Sequence, residues 1–207
     1  MSIEISVIVP VYAEEANIHP FLKRCEPVLK KISKYYEIIF VLDPSPDNTE
    51  KIIQNKISKN NCIRLIKMSR RFGQPAATMA GLFESKGKSC VVIDVDLQDP
   101  PELIENLYKK LNTGFDVVYA RRRSRKGETY FKRIISSIGY YLINKISDVN
   151  IPKNTGDFRI LSRRVVEQLK YLKETHGFLR GLVAFVGFNQ HYVDYDRDEG
   201  FGGSGKY

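Results

Sequence analysis

Residues 89–101 read S-C-V-V-I-D-V-D-L-Q-D-P-P, and they decide the fold. Cys90 to Ile93 is an apolar run long enough for a buried strand and too short for a helix. Asp94, Asp96 and Gln98 follow at alternating positions, and on an extended chain residues two apart share a side. The expectation is a strand that delivers two carboxylates and an amide oxygen together near its carboxyl end. In open α/β sheets that end is where ligands bind. Two hard oxygen anions so close repel unless a cation lies between them, and Mg²⁺ or Mn²⁺ shared with substrate phosphates suits such ligands. Pro100 and Pro101 then stop the strand and can open the next helix. A solvated Asp-rich turn is the plainer alternative; the buried strand in front of the acids argues for the metal.

Outward from this stretch, strands and helices alternate. Ile5–Val11, Tyr36–Leu42, Ile63–Met68 and Asp116–Ala120 read as strands, with Pro10 ending the ladder of the first. Helical spacing joins Ile18 to Ile32, a further helix passes through Ile52, Ile53 and Ile57, and others fall at residues 75–86 and 102–111. Asp47 is a candidate N-cap with Glu50 as its capping-box partner. The alternation predicts an α/β fold with a mainly parallel sheet covered on both faces.

After Ala120 the pattern changes. Residues 121–126 form a basic run, and 129–147 form an amphipathic helix that packs on the core or lies on a bilayer. Residues 154–161 read as a polar loop feeding a strand, followed by a helix capped by Ser162 and running to Lys173. A second apolar helix spans Gly177–Val186, and a last strand Gln190–Tyr195. The tail, residues 198–207, carries four glycines. No repeat or linker divides the 207 residues, so one domain is expected.

Composition narrows the chemistry. A net charge of +9 asks for an anionic partner such as a nucleotide, a nucleic acid or a membrane surface. No nucleic-acid recognition motif accompanies it, so nucleic acid is set aside. Cys25, Cys62 and Cys90 are odd in number and far apart, which fits a reducing compartment better than a disulfide framework. The chain opens directly on a strand with no signal peptide, and no apolar stretch reaches the roughly 20 residues of a membrane span. Glycine-rich dinucleotide and P-loop fingerprints, a G-x-S-x-G elbow and an H-E-x-x-H zinc pair are all missing. What remains is a set of acidic loops at successive strand ends: Glu14 and Glu15, Asp43, and Asp94 with Asp96. Each alone can be a cap or turn. Together at one sheet edge they point to a metal-assisted nucleotide-diphosphate site.

Six stretches carry a family resemblance: P-V-Y-A-E-E-A-N-I from Pro10, L-D-P-S-P-D-N-T from Leu42, S-R-R-F-G-Q-P-A-A from Ser69, D-V-D-L-Q-D-P-P-E from Asp94, A-R-R-R-S-R-K-G-E from Ala120 and N-T-G-D-F-R from Asn154. F-L-R-G-L from Phe178 adds a seventh. Over nearly the whole chain the sequence resembles family 2 glycosyltransferases of the GT-A fold. Within them it is most similar to the polyprenyl-phosphate group, the dolichol-phosphate mannosyltransferases and bacterial undecaprenyl-phosphate glucosyltransferases. The resemblance implies an inverting, metal-dependent transfer of a hexose from a UDP- or GDP-sugar to a polyprenyl phosphate, with Mg²⁺ or Mn²⁺ as cofactor. It implies that Pro10, Tyr12, Glu14 and Asp43 contact the nucleoside. Asp94 would lie by ribose and metal, and Asp96 and Gln98 would bind the metal. Arg121 and Arg133 would hold the acceptor phosphate and donor diphosphate, and Asp157 matches a position proposed as catalytic base. It further implies a peripheral place on the anionic inner face of the cytoplasmic membrane.

Several positions depart from that pattern. Gly200 stands where a second arginine usually follows Arg197, Gly205 precedes Lys206 and Tyr207 in place of Ser or Thr, and Leu42 precedes Asp43 in place of a second Asp. The related membrane enzymes continue past the Lys-Tyr pair into transmembrane helices. The expectation is therefore a short or excised catalytic domain, or one whose anchor comes from a partner. A soluble GT-A transferase acting on a saccharide or protein, and a non-catalytic nucleotide-sugar or lipid-binding module, stand as alternatives.

Overall fold

A computed structural model describes residues 2–123, 155–172 and 179–196. Its centre is a seven-stranded sheet in the order β3-β2-β1-β4-β6-β5-β7. The strands are β1 Ile5–Val11, β2 Tyr36–Leu42, β3 Ile63–Lys67, β4 Ser89–Val92, β5 Val117–Arg122, β6 Thr155–Ser162 and β7 Gln190–Tyr195. β3, β2, β1 and β4 pair in parallel, as do β5 and β7. β6 lies between β4 and β5 and runs against both. The mainly parallel sheet expected from the alternation is thus present, with one reversed strand inside it.

The helices are α1 Ile18–Ile32, α2 Thr49–Ile57, α3 Gln74–Glu84, α4 Leu103–Leu111, α5 Arg163–Tyr171 and α6 Leu179–Phe185. Residues of α1, α2 and α4 share one buried cluster with Val7, Val9, Phe40 and Val91. Residues of α3, α5 and α6 share the other, with Ile8, Val41, Val92 and Tyr119. Both faces being covered is why β1 and β2 are buried at every position and read as unbroken apolar runs. Phe21 of α1 meets Phe40 of β2 edge to face at 6.3 Å, in the wall between helix and sheet. On the other face Gly81 lets α3 lie close: a Cβ there would stand 2.5 Å from Cγ2 of Ile8 and 2.9 Å from that of Val41.

Three expectations change in detail. Pro10 does not end β1; it pairs with Val41, and Val11 with Leu42. The β1–β4 ladder, however, stops at Ile8 and Val92, on the side where a residue of Pro10's parity would need an N–H. Asn48, not Asp47, precedes α2; Asp47 Oδ1 instead accepts from Thr49 N at 3.1 Å and Ser45 Oγ at 2.9 Å, and Glu50 pairs with Lys67. Residues 155–161 belong to β6 from the start: Thr155 pairs with Arg121 of β5 across a register shift, and Arg159–Leu161 pair with both β4 and β5. The amphipathic stretch 129–147, with Arg133, and the tail 198–207 lie outside the described residues.

Candidate active site

The carboxyl ends of β1, β2, β4 and β5 share one edge of the sheet, and antiparallel β6 brings its amino end there. In register, Val92 of β4 faces Arg159 of β6, so Asp157 enters beside the chain that follows β4. This reversal places Asp157 near enough to Asp94 for its charge to disfavour ionisation there.

β4 ends at Val92, and Asp94, Asp96 and Gln98 lie beyond it in a turn rather than on an extended strand. Strand alternation is therefore not what brings the acids together. The turn does so: Leu97 is buried with φ +60°, a left-handed conformation costly for a branched side chain, and Asp96 Oδ1 accepts the backbone N–H of Gln98 at 3.0 Å. Gln74, the first residue of α3, donates from Nε2 to Asp94 Oδ1 at 2.6 Å. Burial first, then the charges of Asp96, Asp157 and Asp99, push the Asp94 carboxyl up to about 7. A half-buried acid crowded by three others is a local excess of negative charge that a cation would relieve. Among the described residues no three His, Cys, Asp or Glu side chains form a metal cage. Mg²⁺ and Mn²⁺ do not require one, since one or two carboxylates plus substrate phosphates and water complete their shell. The donor set of Asp94 and Asp96 with the Gln98 amide fits such an ion.

Arginines face these acids. Arg122, at the end of β5, donates from Nε to the Tyr195 hydroxyl at 3.1 Å and places Nη2 3.4 Å from both oxygens of buried Asp99. Its charge favours the ionised forms of Asp94 and Asp157. Arg121 belongs to the other side of the strand. Its guanidinium forks onto Asp194 at 2.6 and 2.9 Å and stacks 3.3 Å over the Tyr192 ring. The basic run thus alternates its side chains, and Arg122 rather than Arg121 turns toward the acids.

Asp157 is gripped by two arginines. Arg180 of α6 donates from Nε at 2.9 Å and Nη2 at 3.4 Å, and Arg159 from Nη2 at 3.2 Å. Burial alone would raise the Asp157 carboxyl; the Arg180 hydrogen bond and the positive charges of Arg159, Arg180 and Arg122 outweigh it and hold it below the usual carboxylate range. Arg159 is wholly buried, bonded to the carbonyls of Gly156 and Asp157 at 2.9 and 3.1 Å, while its Nη1 finds no partner among the described residues.

The second acidic loop forms a different niche. Asp43, at the end of β2, is 1% exposed. Its Oδ2 accepts the N–H of Gly73 at 2.8 Å, while Oδ1 is buried without a hydrogen-bond partner. Such an orphaned acceptor costs about 1–3 kcal/mol unless a ligand completes it. The loop carrying Gly73 also lays Arg71 over the Tyr12 ring at 4.0 Å. Tyr12 and Glu14 follow β1, whose loop is fixed to the Asp43 loop through Ala13 N to Ser45 Oγ at 2.6 Å and Glu14 N to Thr49 Oγ1 at 2.8 Å. Pro10 and Asp43 therefore lie on paired strand ends with Tyr12 and Glu14 just beyond. An open pocket of about 470 Å³ beside β7, walled by Phe188, Gln190 and Tyr192, takes in none of these acids.

Gln74, Asp99, Arg122, Arg180 and Tyr195 were not among the sequence candidates, and Arg159 entered only as a group that Asp157 would position. All but Tyr195 lie inside the family motifs: Gln74 in S-R-R-F-G-Q-P-A-A, Asp99 in D-V-D-L-Q-D-P-P-E, Arg122 in A-R-R-R-S-R-K-G-E, Arg159 in G-D-F-R and Arg180 in F-L-R-G-L.

The chain belongs to glycosyl transferase family 2, whose description matches residues 6–170. It is 43% identical over 205 residues to the uncharacterized glycosyltransferase YkcC of Bacillus subtilis, covering 99% of this chain and 64% of that one. A bactoprenol glucosyl transferase of Shigella phage SfV is 38% identical over 204 residues, 99% of this chain and 66% of its own. The chain thus spans about two thirds of the length of these relatives. Its fold is that of GT-A glycosyltransferases. It superimposes with a TM-score of 0.64 on the mannosyltransferase PcManGT of Pyrobaculum calidifontis in complex with GDP-Man and Mn²⁺, at 18% identity, over 94% of this chain and 55% of that one. With glucosyl-3-phosphoglycerate synthase of Mycobacterium tuberculosis, crystallised with Mn²⁺, UDP-glucose and phosphoglyceric acid, the TM-score is 0.62 at 21% identity, over 94% and 71%.

Proposed function

We propose that this protein transfers a hexose from a UDP- or GDP-sugar to a polyprenyl phosphate, with inversion and with the help of Mg²⁺ or Mn²⁺. The observation that carries the reading is the crowded pair Asp94 and Asp96, facing Arg122, on the same sheet edge as the buried, unpartnered acceptor of Asp43. The acceptor class rests on relatives whose names specify bactoprenol.

The niche at Asp43 selects the base. A buried carboxylate oxygen can only accept, so it suits the ring N–H of uracil or guanine and rejects the bare ring nitrogen that cytosine or adenine offers there. Tyr12 supplies a ring face beside it, and Pro10 and Glu14 border the same niche. At the acids, Arg122 meets the donor diphosphate. A divalent ion bound by Asp94, Asp96 and Gln98 would neutralise charge gathering on the departing nucleoside diphosphate.

One oxygen of the acceptor phosphate forms a bond to the anomeric carbon as the bond from that carbon to the diphosphate oxygen breaks, and the electron pair leaves with the nucleoside diphosphate. A phosphate monoester has its second pKa near 6 and is already largely dianionic at pH 7. No base is required to ready it. Asp157 accordingly holds Arg180 and Arg159 in place rather than removing a proton. Arg133 completes the acceptor or diphosphate contacts, and Arg121, anchored by Asp194, contributes charge at the rim. The basic run and residues 129–147 meet anionic lipid headgroups, at about 1 kcal/mol per basic side chain near the surface. Among the described residues no helix is long and apolar enough to cross a membrane.

Labelled UDP- and GDP-sugars, incubated with Mn²⁺ or Mg²⁺ and a short-chain polyprenyl phosphate, test the reading directly. Label moving to the lipid is the expected result; label moving only to saccharide or protein, or binding without turnover, would overturn it. Asp43→Asn should weaken UDP or GDP binding by about 10- to 30-fold, because the amide cannot satisfy both the Gly73 N–H and the base as acceptor through two oxygens. Equilibrium dialysis with the metal present measures this, and unchanged affinity would remove Asp43 from the nucleoside site.

A further inference from the structure

We infer that Tyr195 and Asp99 are positioning residues of the donor site, a latch that holds Arg122 and the acid-bearing turn in one fixed relation. The inference rests on the donor-diphosphate reading above and extends it to residues that touch neither the sugar nor the metal.

Tyr195 ends β7 and Asp99 ends the turn after β4, 96 residues apart in sequence. Both are buried, at 6% and 3% exposure. The Tyr195 hydroxyl donates to Asp99 Oδ1 and accepts from Arg122 Nε at 3.1 Å. It is therefore the atom that joins β5, β7 and the turn. Burial and the neighbouring Asp99 charge both raise the Tyr195 hydroxyl, which stays protonated and able to donate. The Tyr195 ring packs in the apolar cluster with Val118, Ala120 and Phe158, so its position is set by the core.

The geometry separates this from an ordinary ion pair. A charge-assisted guanidinium–carboxylate bond closes to about 2.7–2.9 Å. Arg122 Nη2 stands off at 3.4 Å from both Asp99 oxygens. Asp99 bonds Tyr195 closely, and the guanidinium is pinned at its Nε end while its Nη2 holds Asp99 only at arm's length. Its positive field reaches Asp94 and Asp157 as well as Asp99. Gly156 leaves the room this requires: a Cβ there would meet Arg122 Nη2 at 3.3 Å. A cation fixed in advance, its ion pair to Asp99 held at 3.4 Å, is what a diphosphate that gathers charge during bond breaking needs.

Calorimetric binding of Mn²⁺ with UDP or GDP to Tyr195→Phe, Arg122→Lys and the double variant tests the latch. The phenyl ring keeps the packing and removes only the hydroxyl. Tyr195→Phe is expected to weaken nucleotide binding about tenfold. In that background Arg122→Lys should cost much less than it does in the parent protein, because the two act as one unit. Asp99→Asn should reproduce the loss in milder form, since the amide oxygen still accepts from Tyr195. A Tyr195→Phe protein whose nucleotide affinity stays within twofold of the parent, or whose effect adds fully to that of Arg122→Lys, would overturn the inference even if its thermal stability fell. A parent protein that binds neither nucleotide with Mn²⁺ would overturn the donor reading, and the inference with it.

Discussion

Asp96→Ala is expected to reduce transfer by about 10³-fold, the scale for removing a principal source of transition-state charge stabilisation. The same variant should fold well. In the metal-free protein the Asp94 carboxyl sits at about 7, raised by burial and then by Asp96. A carboxyl raised in the folded state favours folding while it is protonated. That contribution is present below about pH 4, the unfolded value, and is lost as pH rises through about 7. Removing Asp96 takes away one of the charges that causes the loss. Metal-free Asp96→Ala should therefore melt at a higher temperature than its parent at pH 8, and the two should converge near pH 4. A more stable protein that has lost its turnover is the mark of a site built at the expense of the fold. Added Mn²⁺ should raise the melting temperature of the parent at pH 8 and leave Asp96→Ala nearly unmoved. Turnover within tenfold of the parent would exclude Asp96 as a metal ligand.

Asp157→Asn separates a base from a positioning group. Arg180 and Arg159 hold the Asp157 carboxyl below the usual range, where it is a poor proton acceptor at neutral pH. With the charge removed, wholly buried Arg159 keeps its carbonyl contacts but loses its ionised partner, and the Arg180 fork loses its anchor. The expected cost is on the order of 2 kcal/mol of stability, reduced from the fully buried case because Asp157 is one-third exposed. The sign follows from a depressed carboxyl. The stability it contributes is present above about pH 4 and is lost as pH falls through its lowered folded value, so parent and variant should converge in acid. Turnover should fall about 100-fold through displaced arginines, with the same pH profile as the parent. A fall of several thousandfold that high pH relieves would instead establish base catalysis at Asp157.

The fold was largely legible in the sequence because a sheet covered on both faces must be written as apolar runs, and β1, β2 and β4 are such runs. The acids at 94 and 96 were legible for the same reason: two carboxylates directly after a buried strand have no apolar role. What pairs with them was not. Arg121 and Arg122 are adjacent in a run of like residues, and only the parity of β5 decides which one turns to Asp99 and which to Asp194. Tyr195 reaches Asp99 across the sheet, a contact set by strand order rather than spacing. Asp157 arrives beside Asp94 because β6 runs backward, and a stretch reading N-T-G-D-F-R gives no sign of direction. The alternation argument for Asp94, Asp96 and Gln98 assumed an extended strand, whereas β4 ends at Val92 and these residues follow it through a turn with Leu97 in the left-handed region.

The central claim is that the acids after β4 hold a divalent ion against a nucleoside diphosphate. Anomalous diffraction from a crystal grown with Mn²⁺ and UDP or GDP measures this directly. The account predicts one manganese peak touching Asp94 or Asp96 and a diphosphate oxygen, with the base against Asp43. A well-ordered nucleotide bound elsewhere, or a manganese peak that avoids both carboxylates, would contradict it.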